Sequence, residues 1–308
     1  MHDVVIVGSG PAGYTAAIYT ARARLNPIIL AGSVTAGGDL MNTTEVENYP
    51  GFTDGIMGPE LMATMQAQAE RFGADVRYED VIKLQLDGAV KEITVDGGEV
   101  LHAKTVILAT GSAYRELGLD DEKRLSGHGV SWCATCDGFF FKAQNIAVVG
   151  GGDSAIEEAT FLTKFADKVT LIHRRDQLRA SEIMQQRAFD DPKIEFLWNK
   201  KVVGITGDAK VEQLSLEDTT TGETSTLDVT GLFVAIGSDP RTALFKDQLE
   251  ITADNTVAVQ GRSSRTSLPG VFAAGDVVDP TYRQAITAAG SGCAAAIDVE
   301  HYLAEHGN

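Results

Sequence analysis

Cys133 and Cys136 stand three positions apart, with Asp137 directly after the second. Two thiols at this spacing can close a disulfide and reopen it, and an adjacent carboxyl can carry the proton that the exchange requires. The same spacing also supplies half of a tetrahedral zinc site. The elements on either side of the pair must separate these chemistries.

Two of those elements are glycine-rich. Val4-Val5-Ile6-Val7 is a β-branched apolar run, as expected of a strand buried on both faces of a parallel sheet. Gly8-Ser9-Gly10-Pro11-Ala12-Gly13 follows, then a helical stretch over residues 14–24 and a second apolar strand over 27–30. Strand, G-x-G-x-x-G, helix, strand is the context of a dinucleotide fingerprint: the glycines permit a tight turn and close backbone approach, and the helix N-terminus faces a pyrophosphate. The acidic residue that should follow, about 20 positions on, to hold a ribose hydroxyl is absent. Ala31-Gly32-Ser33 stands in its place, which leaves the backbone amides of Gly37, Gly38 and Asp39 as candidates for that task.

The pattern recurs after the cysteines. Asn145-Ile146-Ala147-Val148-Val149 reads as a strand, Gly150-Gly151-Gly152-Asp153-Ser154-Ala155 as G-x-G-x-x-A, residues 156–165 as a helix and 168–172 as the next strand. That strand runs into His173-Arg174-Arg175-Asp176-Gln177-Leu178-Arg179. Where an NAD site places a carboxylate, this chain places arginines, whose guanidinium groups suit the 2′-phosphate of NADP. His173 is expected to meet nucleotide or backbone rather than to act as a base.

The bulk properties agree with an enzyme of two domains. The chain has 308 residues, 44% hydrophobic and 22% charged, enough for two cores. Its net charge of −17 argues against nucleic acid or an anionic membrane as partner. The first residues carry no basic region and no long apolar run, so neither a signal peptide nor a spanning helix is expected. Three cysteines do not make a secreted disulfide scaffold, and a cytoplasmic location is the expectation.

Between and beyond the loops, residues 59–72 read as a helix with Leu61, Met65 and Ala69 on one face. Alternating stretches at 81–86, 90–95 and 100–105 suggest a small sheet. Residues 105–111 form a buried strand ending in Gly111, echoed by 231–237. Val271-Phe272-Ala273-Ala274 runs into Gly275-Asp276, and an Ala-rich helix is expected over 283–303. With no third G-x-G-x-x-G, this last segment should return to complete the first domain. The second domain would then be inserted between linkers near 112–116 and 238–243.

With these motifs in order, the chain resembles the low-molecular-weight, bacterial-type thioredoxin reductases, of the class II pyridine nucleotide-disulfide oxidoreductases. The matching stretches are residues 8–13, Thr44-Glu45-Val46-Glu47-Asn48-Tyr49-Pro50-Gly51, 133–138, 150–155, 173–179 and 275–285. The resemblance implies an α/β fold of two Rossmann-like dinucleotide-binding domains in three ββα layers. A domain for NADPH (115–242), carrying the cysteines, would be inserted into a split domain for FAD (1–114 and 243–308). FAD would be held by Gly8, Gly10, Pro11, Ala12, Gly13, Gly38, Asn48 and Gly111 from the first segment. Gly275, Asp276, Arg283, Gln284 and Ala285 would hold it from the last. NADPH would be held by Gly152, Asp153, Ser154, His173, Arg174, Arg175 and Arg179. Cys136 would face the flavin, Cys133 would attack the partner and Asp137 would move the proton. The implied partner is thioredoxin, the implied assembly a homodimer, and domain rotation is implied in turnover. Two positions depart from the family: Asp39 stands where glutamine is frequent, and His128 where some relatives carry an arginine for docking.

Other chemistries fit less of the chain. A structural zinc site needs four ligands, and no second Cys-x-x-Cys is present; Cys293 is expected to be buried packing. No metal is therefore expected. An oxygen-using dithiol oxidase would not need Arg174, Arg175 and Arg179, and a ferredoxin–NADP reductase would not need the cysteine pair. A flavoprotein that signals by binding a partner remains open, and turnover separates it. Phe139-Phe140-Phe141 reads equally as core or as a docking surface.

Overall fold

The computed structural model describes residues 1–34 and 36–306. They form two compact units, Met1–Ala113 with 239–306, and Tyr114–Ser238. No helix is long and apolar enough to cross a membrane among the described residues.

The first unit is built on a sheet whose centre is the opening apolar run. Strand His2–Val7 pairs in parallel with Ile28–Leu30 on one side and with Val100–Leu108 on the other. Asp75–Arg77 extends the parallel sheet beyond Ile28–Leu30, and Val271–Ala273 joins Val100–Leu108 from the end of the chain. Side chains alternate across the strand. Val4 and Ile6 face a core shared with Ala16, Ala17, Phe272, Ala295 and Val299, whereas Val5 and Val7 face Leu84, Ile93, Leu108 and Phe245. Both faces are covered, which is why the run is continuous rather than alternating.

The stretches 100–105 and 105–111 prove to be one strand, Val100–Leu108. Its first half alternates exposed and buried residues because it pairs antiparallel with Lys91–Val95, leaving one face wet. Its second half is buried throughout, between parallel neighbours. The expected separate small sheet is therefore an antiparallel extension of the main one.

Helix Pro11–Arg22 lies against the long final helix Ala285–His306 at a close approach. A Cβ on Gly292 would stand 2.1 Å from the Ala12 carbonyl oxygen, so only glycine lets these backbones meet there. The final helix begins two residues later than the sequence suggests. Arg283 adopts φ 46°, and its amide donates to Asp279 Oδ2 (3.0 Å), which ends a turn rather than starting a helix.

The second unit repeats the plan. Asn145–Gly150 is flanked in parallel by Lys168–Ile172 and Gly231–Ala235, with Ile194–Leu197 and Val130–Ser131 at the two edges. Ile146 and Val148 face helix Asp153–Leu162, in a core with Ile156, Ala159 and Phe233. Ala147 faces a core with Leu214 and Leu216, from the antiparallel sheet of Lys200–Thr206, Gln213–Asp218 and Thr224–Asp228. Sheet, sheet and helix are the three layers of this second unit.

Candidate functional site

In the first unit, the loop after the opening strand is shaped by glycines with different duties. Gly8 has φ 106°, and a Cβ there would lie 2.2 Å from the Ala109 carbonyl oxygen. A Cβ on Gly13 would lie 1.9 Å from the Gly8 carbonyl oxygen. Gly10, by contrast, has nothing within 4 Å of its Cβ position. It caps helix Pro11–Arg22, whose first residue is the proline that lacks an N–H. Bare backbone opening on free space at a helix N-terminus fits a dinucleotide pyrophosphate.

Ser9, which the motif leaves unspecified, ties this loop to two others. Its hydroxyl donates to the Ala31 carbonyl (2.8 Å) and accepts from the Gly37 amide (2.8 Å). The bond brings Gly38 alongside Gly10, its Cβ position 3.3 Å from the Gly10 Cα. At the end of strand Ile28–Leu30, where no acidic residue occurs in sequence, Asp80 accepts hydrogen bonds from the Ser33 amide (3.1 Å) and hydroxyl.

Gly111, Gly275 and Asp276 lie at the carboxyl ends of the neighbouring strands Val100–Leu108 and Val271–Ala273. Burial pushes the Asp276 carboxyl up to about 6, helped by the negative charges of Asp39 and Asp279 and opposed by the Ser112 hydroxyl, 3.4 Å away. Burial likewise raises Asp39, and Arg241 opposes the shift through an ion pair of 3.3 Å. The departure at position 39 thus has a charge partner, Arg241, that lies outside every motif. Arg241 is fixed in turn, since its amide donates to the Gly111 carbonyl (3.0 Å) and its carbonyl accepts from Thr110 (2.9 Å). Asn48, on the wall of a 340 Å³ cavity lined by residues 47–53, donates to Gln284 Oε1 (3.3 Å). Ala285 opens the final helix.

In the second unit the loop has the same division of labour. A Cβ on Gly150 would lie 2.4 Å from the Ala235 carbonyl oxygen, while Gly152, which caps helix Asp153–Leu162, has open space at its Cβ position. That helix starts at Asp153, three residues earlier than the sequence suggests, and holds Ser154 in its first turn. Asp153 points to protein: its Oδ1 accepts from the Ser181 amide (2.7 Å) and hydroxyl (3.0 Å). His173 is buried, with Nδ1 2.8 Å from the Gly150 carbonyl oxygen and Nε2 3.0 Å from that of Gln177. Its ring fills the space that a Cβ on Gly151 would need. Amides of Arg179 (2.7 Å) and Ala180 (3.1 Å) donate to the Gly151 carbonyl. These bonds bind loop 174–181 to the glycine loop. Arg174, Arg175 and Arg179 remain exposed, and among the described residues they enter no ion pair.

Cys133 and Cys136 are joined in a disulfide, so neither sulfur is free to hold a metal. Among the described residues, no group of three or more histidines, cysteines or carboxylates could do so. The pair bounds one turn of helix, Ala134–Asp137, and the Cys136 amide donates to Cys133 Sγ (3.2 Å). Cys133 is half-buried and Cys136 exposed. Asp137 is half-buried; burial raises its carboxyl above the usual range, while the Ser131 hydroxyl, donating over 2.6 Å, pulls the other way. The three phenylalanines divide. Phe141 is core, edge-on to Phe233 at 5.1 Å, whereas Phe139 and Phe140 are exposed. Cys293 is only half-buried, not the buried packing that its Ala-rich surroundings suggest.

Two glycine loops built for dinucleotides and a redox-ready disulfide define a flavin-type disulfide oxidoreductase. The chain belongs to the pyridine nucleotide-disulphide oxidoreductase family, whose profile matches residues 2–292. It is 62% identical over 304 residues to the thioredoxin reductase of Streptomyces coelicolor, spanning 99% of this chain and 94% of that one. It is 63% identical over 305 residues to that of Mycolicibacterium smegmatis, spanning 99% and 97%. The crystal structure of thioredoxin reductase from Streptococcus pyogenes superposes with a TM-score of 0.94 at 44% identity, covering 99% of both chains. Enzymes of this kind use FAD and NADPH.

Proposed function

We propose that this chain is an NADPH-dependent thioredoxin-disulfide reductase, passing electrons from NADPH through FAD and the Cys133–Cys136 disulfide to oxidised thioredoxin. The observation that carries this reading is the closed Cys133–Cys136 pair beside Asp137, whose carboxyl burial raises above the usual range. The same unit bears a glycine loop flanked by three arginines without ion pairs among the described residues.

FAD would lie on the first unit, against Gly8 to Gly13, Gly38, Asn48, Gly111, Asp276 and the start of the final helix. NADPH would lie on the second, its pyrophosphate at Gly152 and Ser154 and its 2′-phosphate at Arg174, Arg175 and Arg179. Asp153 and His173 would act there through the protein, by holding loop 174–181 in place. Bound FAD supplies two-electron transfer between the nicotinamide and the disulfide.

The remaining steps belong to side chains. Two electrons enter the Cys133–Cys136 bond and break it; exposed Cys136 takes a proton from water, and Cys133 is left as the thiolate. The Cys136 amide, aimed at Cys133 Sγ, favours a thiolate on Cys133. That thiolate attacks a sulfur of the thioredoxin disulfide, forming a mixed disulfide, and the displaced thioredoxin thiolate takes the proton of Asp137. Cys136 then returns its proton to Asp137 and attacks Cys133 Sγ. The Cys133–Cys136 bond reforms, and the second thioredoxin sulfur leaves and takes a proton from water.

Exposed Phe139 and Phe140, beside the disulfide, suit the docking of the protein substrate. A homodimer is proposed through the first unit, where Tyr19, Ile286 and Ile297 expose apolar surface. The cytoplasm is the proposed location, since a dithiol product persists only in a reducing compartment. Reduction of thioredoxin by NADPH, followed by loss of NADPH absorbance, tests the reading; a preparation that bleaches its flavin with NADPH yet leaves thioredoxin oxidised would refute it.

A further inference from the structure

Ser131 has no place in the Cys-x-x-Cys-Asp motif, yet its hydroxyl touches both the cysteine backbone and the carboxyl. It sits on strand Val130–Ser131, 4% exposed, with the strand held in parallel register to Gly231–Ala235. Its oxygen accepts the Cys133 amide proton at 3.1 Å and lies 2.6 Å from Asp137 Oδ2. A hydroxyl carries one proton. The Cys133 carbonyl, at 3.4 Å, competes poorly for it, so the bond goes to Asp137.

We propose that Ser131 is a positioning residue for the exchange reaction: it fixes the Asp137 carboxyl against the cysteine turn and sets how readily that carboxyl gives up and regains its proton. The proposal rests on the reading of Asp137 as the proton carrier.

The surroundings leave Ser131 this role. Burial and the Ser131 hydroxyl are the two influences on the Asp137 carboxyl, and they oppose one another. The turn Gly138–Phe141 and the strands Val130–Ser131 and Gly231–Ala235 carry no charged side chain. Helix Asp153–Leu162, packed on the cysteine turn, carries Asp153, Glu157 and Glu158. A donor to a buried carboxylate favours its charged form, so Ser131 eases the loss of the Asp137 proton against the opposing effect of burial. In the exchange, Asp137 gives a proton to the displaced partner thiolate as the mixed disulfide forms. It receives one from Cys136 as the internal disulfide closes. Both transfers need a carboxyl that is neither locked neutral nor free to rotate away.

The test is the pH dependence of kcat/KM for one thioredoxin, measured with wild type, Ser131→Ala, Ser131→Val, Ser131→Thr and Asp137→Asn. Threonine keeps the hydroxyl, and valine has the same shape without it. The limb that Asp137→Asn abolishes should move to higher pH by about one unit in the alanine and valine variants, the size expected of a lost hydrogen bond to a charged acceptor. Threonine should restore it. Flavin content and the rate of flavin bleaching by NADPH should stay at wild-type level in the Ser131 variants, which a general disruption of the fold would not allow. An unmoved limb in both the alanine and valine variants overturns the role of Ser131 while leaving that of Asp137 intact. A limb that survives Asp137→Asn overturns the reading of Asp137 itself.

Discussion

Replacing Asp276 by asparagine should stabilise the flavin-free protein at neutral pH and flatten part of its pH dependence. The folded carboxyl is raised from 3.8 to about 6, by burial first and then by the charges of Asp39 and Asp279. Because it holds its proton more tightly folded than unfolded, acid favours the fold. The contribution is full below 3.8 and is lost as pH rises through about 6. The whole gap corresponds to about 3 kcal/mol, an upper bound for a group with some solvent access. Between pH 8 and pH 5 wild type should gain about 1.4 kcal/mol from this group. Asparagine keeps the shape and cannot ionise, so that gain should vanish. Urea unfolding followed by far-UV circular dichroism, at several pH values, measures the difference between the two proteins, in which other titrating groups cancel. Parallel curves for wild type and Asp276→Asn would refute the reasoning.

The remaining expectations concern the two loops and one buried carboxylate. Gly10→Ala should fold normally and bind FAD at least about tenfold more weakly, since its Cβ meets no protein atom but enters the space left for the pyrophosphate. Gly150→Ala, whose Cβ would press on the Ala235 carbonyl and Ala155, should lose about 2 kcal/mol or more of stability in thermal unfolding. Replacing Arg174 and Arg175 together by alanine should cut the preference for NADPH over NADH about a hundredfold in kcat/KM, and an unchanged preference would contradict their assignment. Glu122 is 1% exposed and accepts three backbone amides, those of Leu117 (2.9 Å), Gly118 (3.0 Å) and Leu119 (3.4 Å). Glu122→Ala should therefore lower stability by about 2 kcal/mol, read as an earlier melting transition.

The elements most legible in sequence were those set by local rules. Val4 to Val7 and Ile146 to Val149 had to be buried strands, because a run of branched apolar residues has no wet face to offer. The loops after them had to turn tightly, because glycine tolerates what Gly8 adopts at φ 106°. Strand Val100–Leu108 reads as two in sequence, since its hydrophobic pattern changes where its neighbours change from antiparallel to parallel. The clamps were not legible at all. Ser9 reaches Gly37, Ser33 reaches Asp80, Asp153 reaches Ser181 and Arg241 reaches Asp39 across 28 to 202 residues of chain. Each pairing exists only once the sheets have brought loop ends together, and no local spacing rule encodes it. Asp153 and His173 show the consequence. Both lie where the fingerprint places nucleotide contacts, and both spend their hydrogen bonds on the protein.

The central claim is that electrons leave this enzyme through the Cys133–Cys136 disulfide. Rapid mixing of NADPH with Cys136→Ser, in the presence of oxidised thioredoxin, tests it most directly. The flavin band near about 450 nm should bleach as in wild type, because hydride transfer does not need the cysteine pair. Thioredoxin should stay oxidised. Reduction of thioredoxin at the wild-type rate by the variant would show that the electrons take another route.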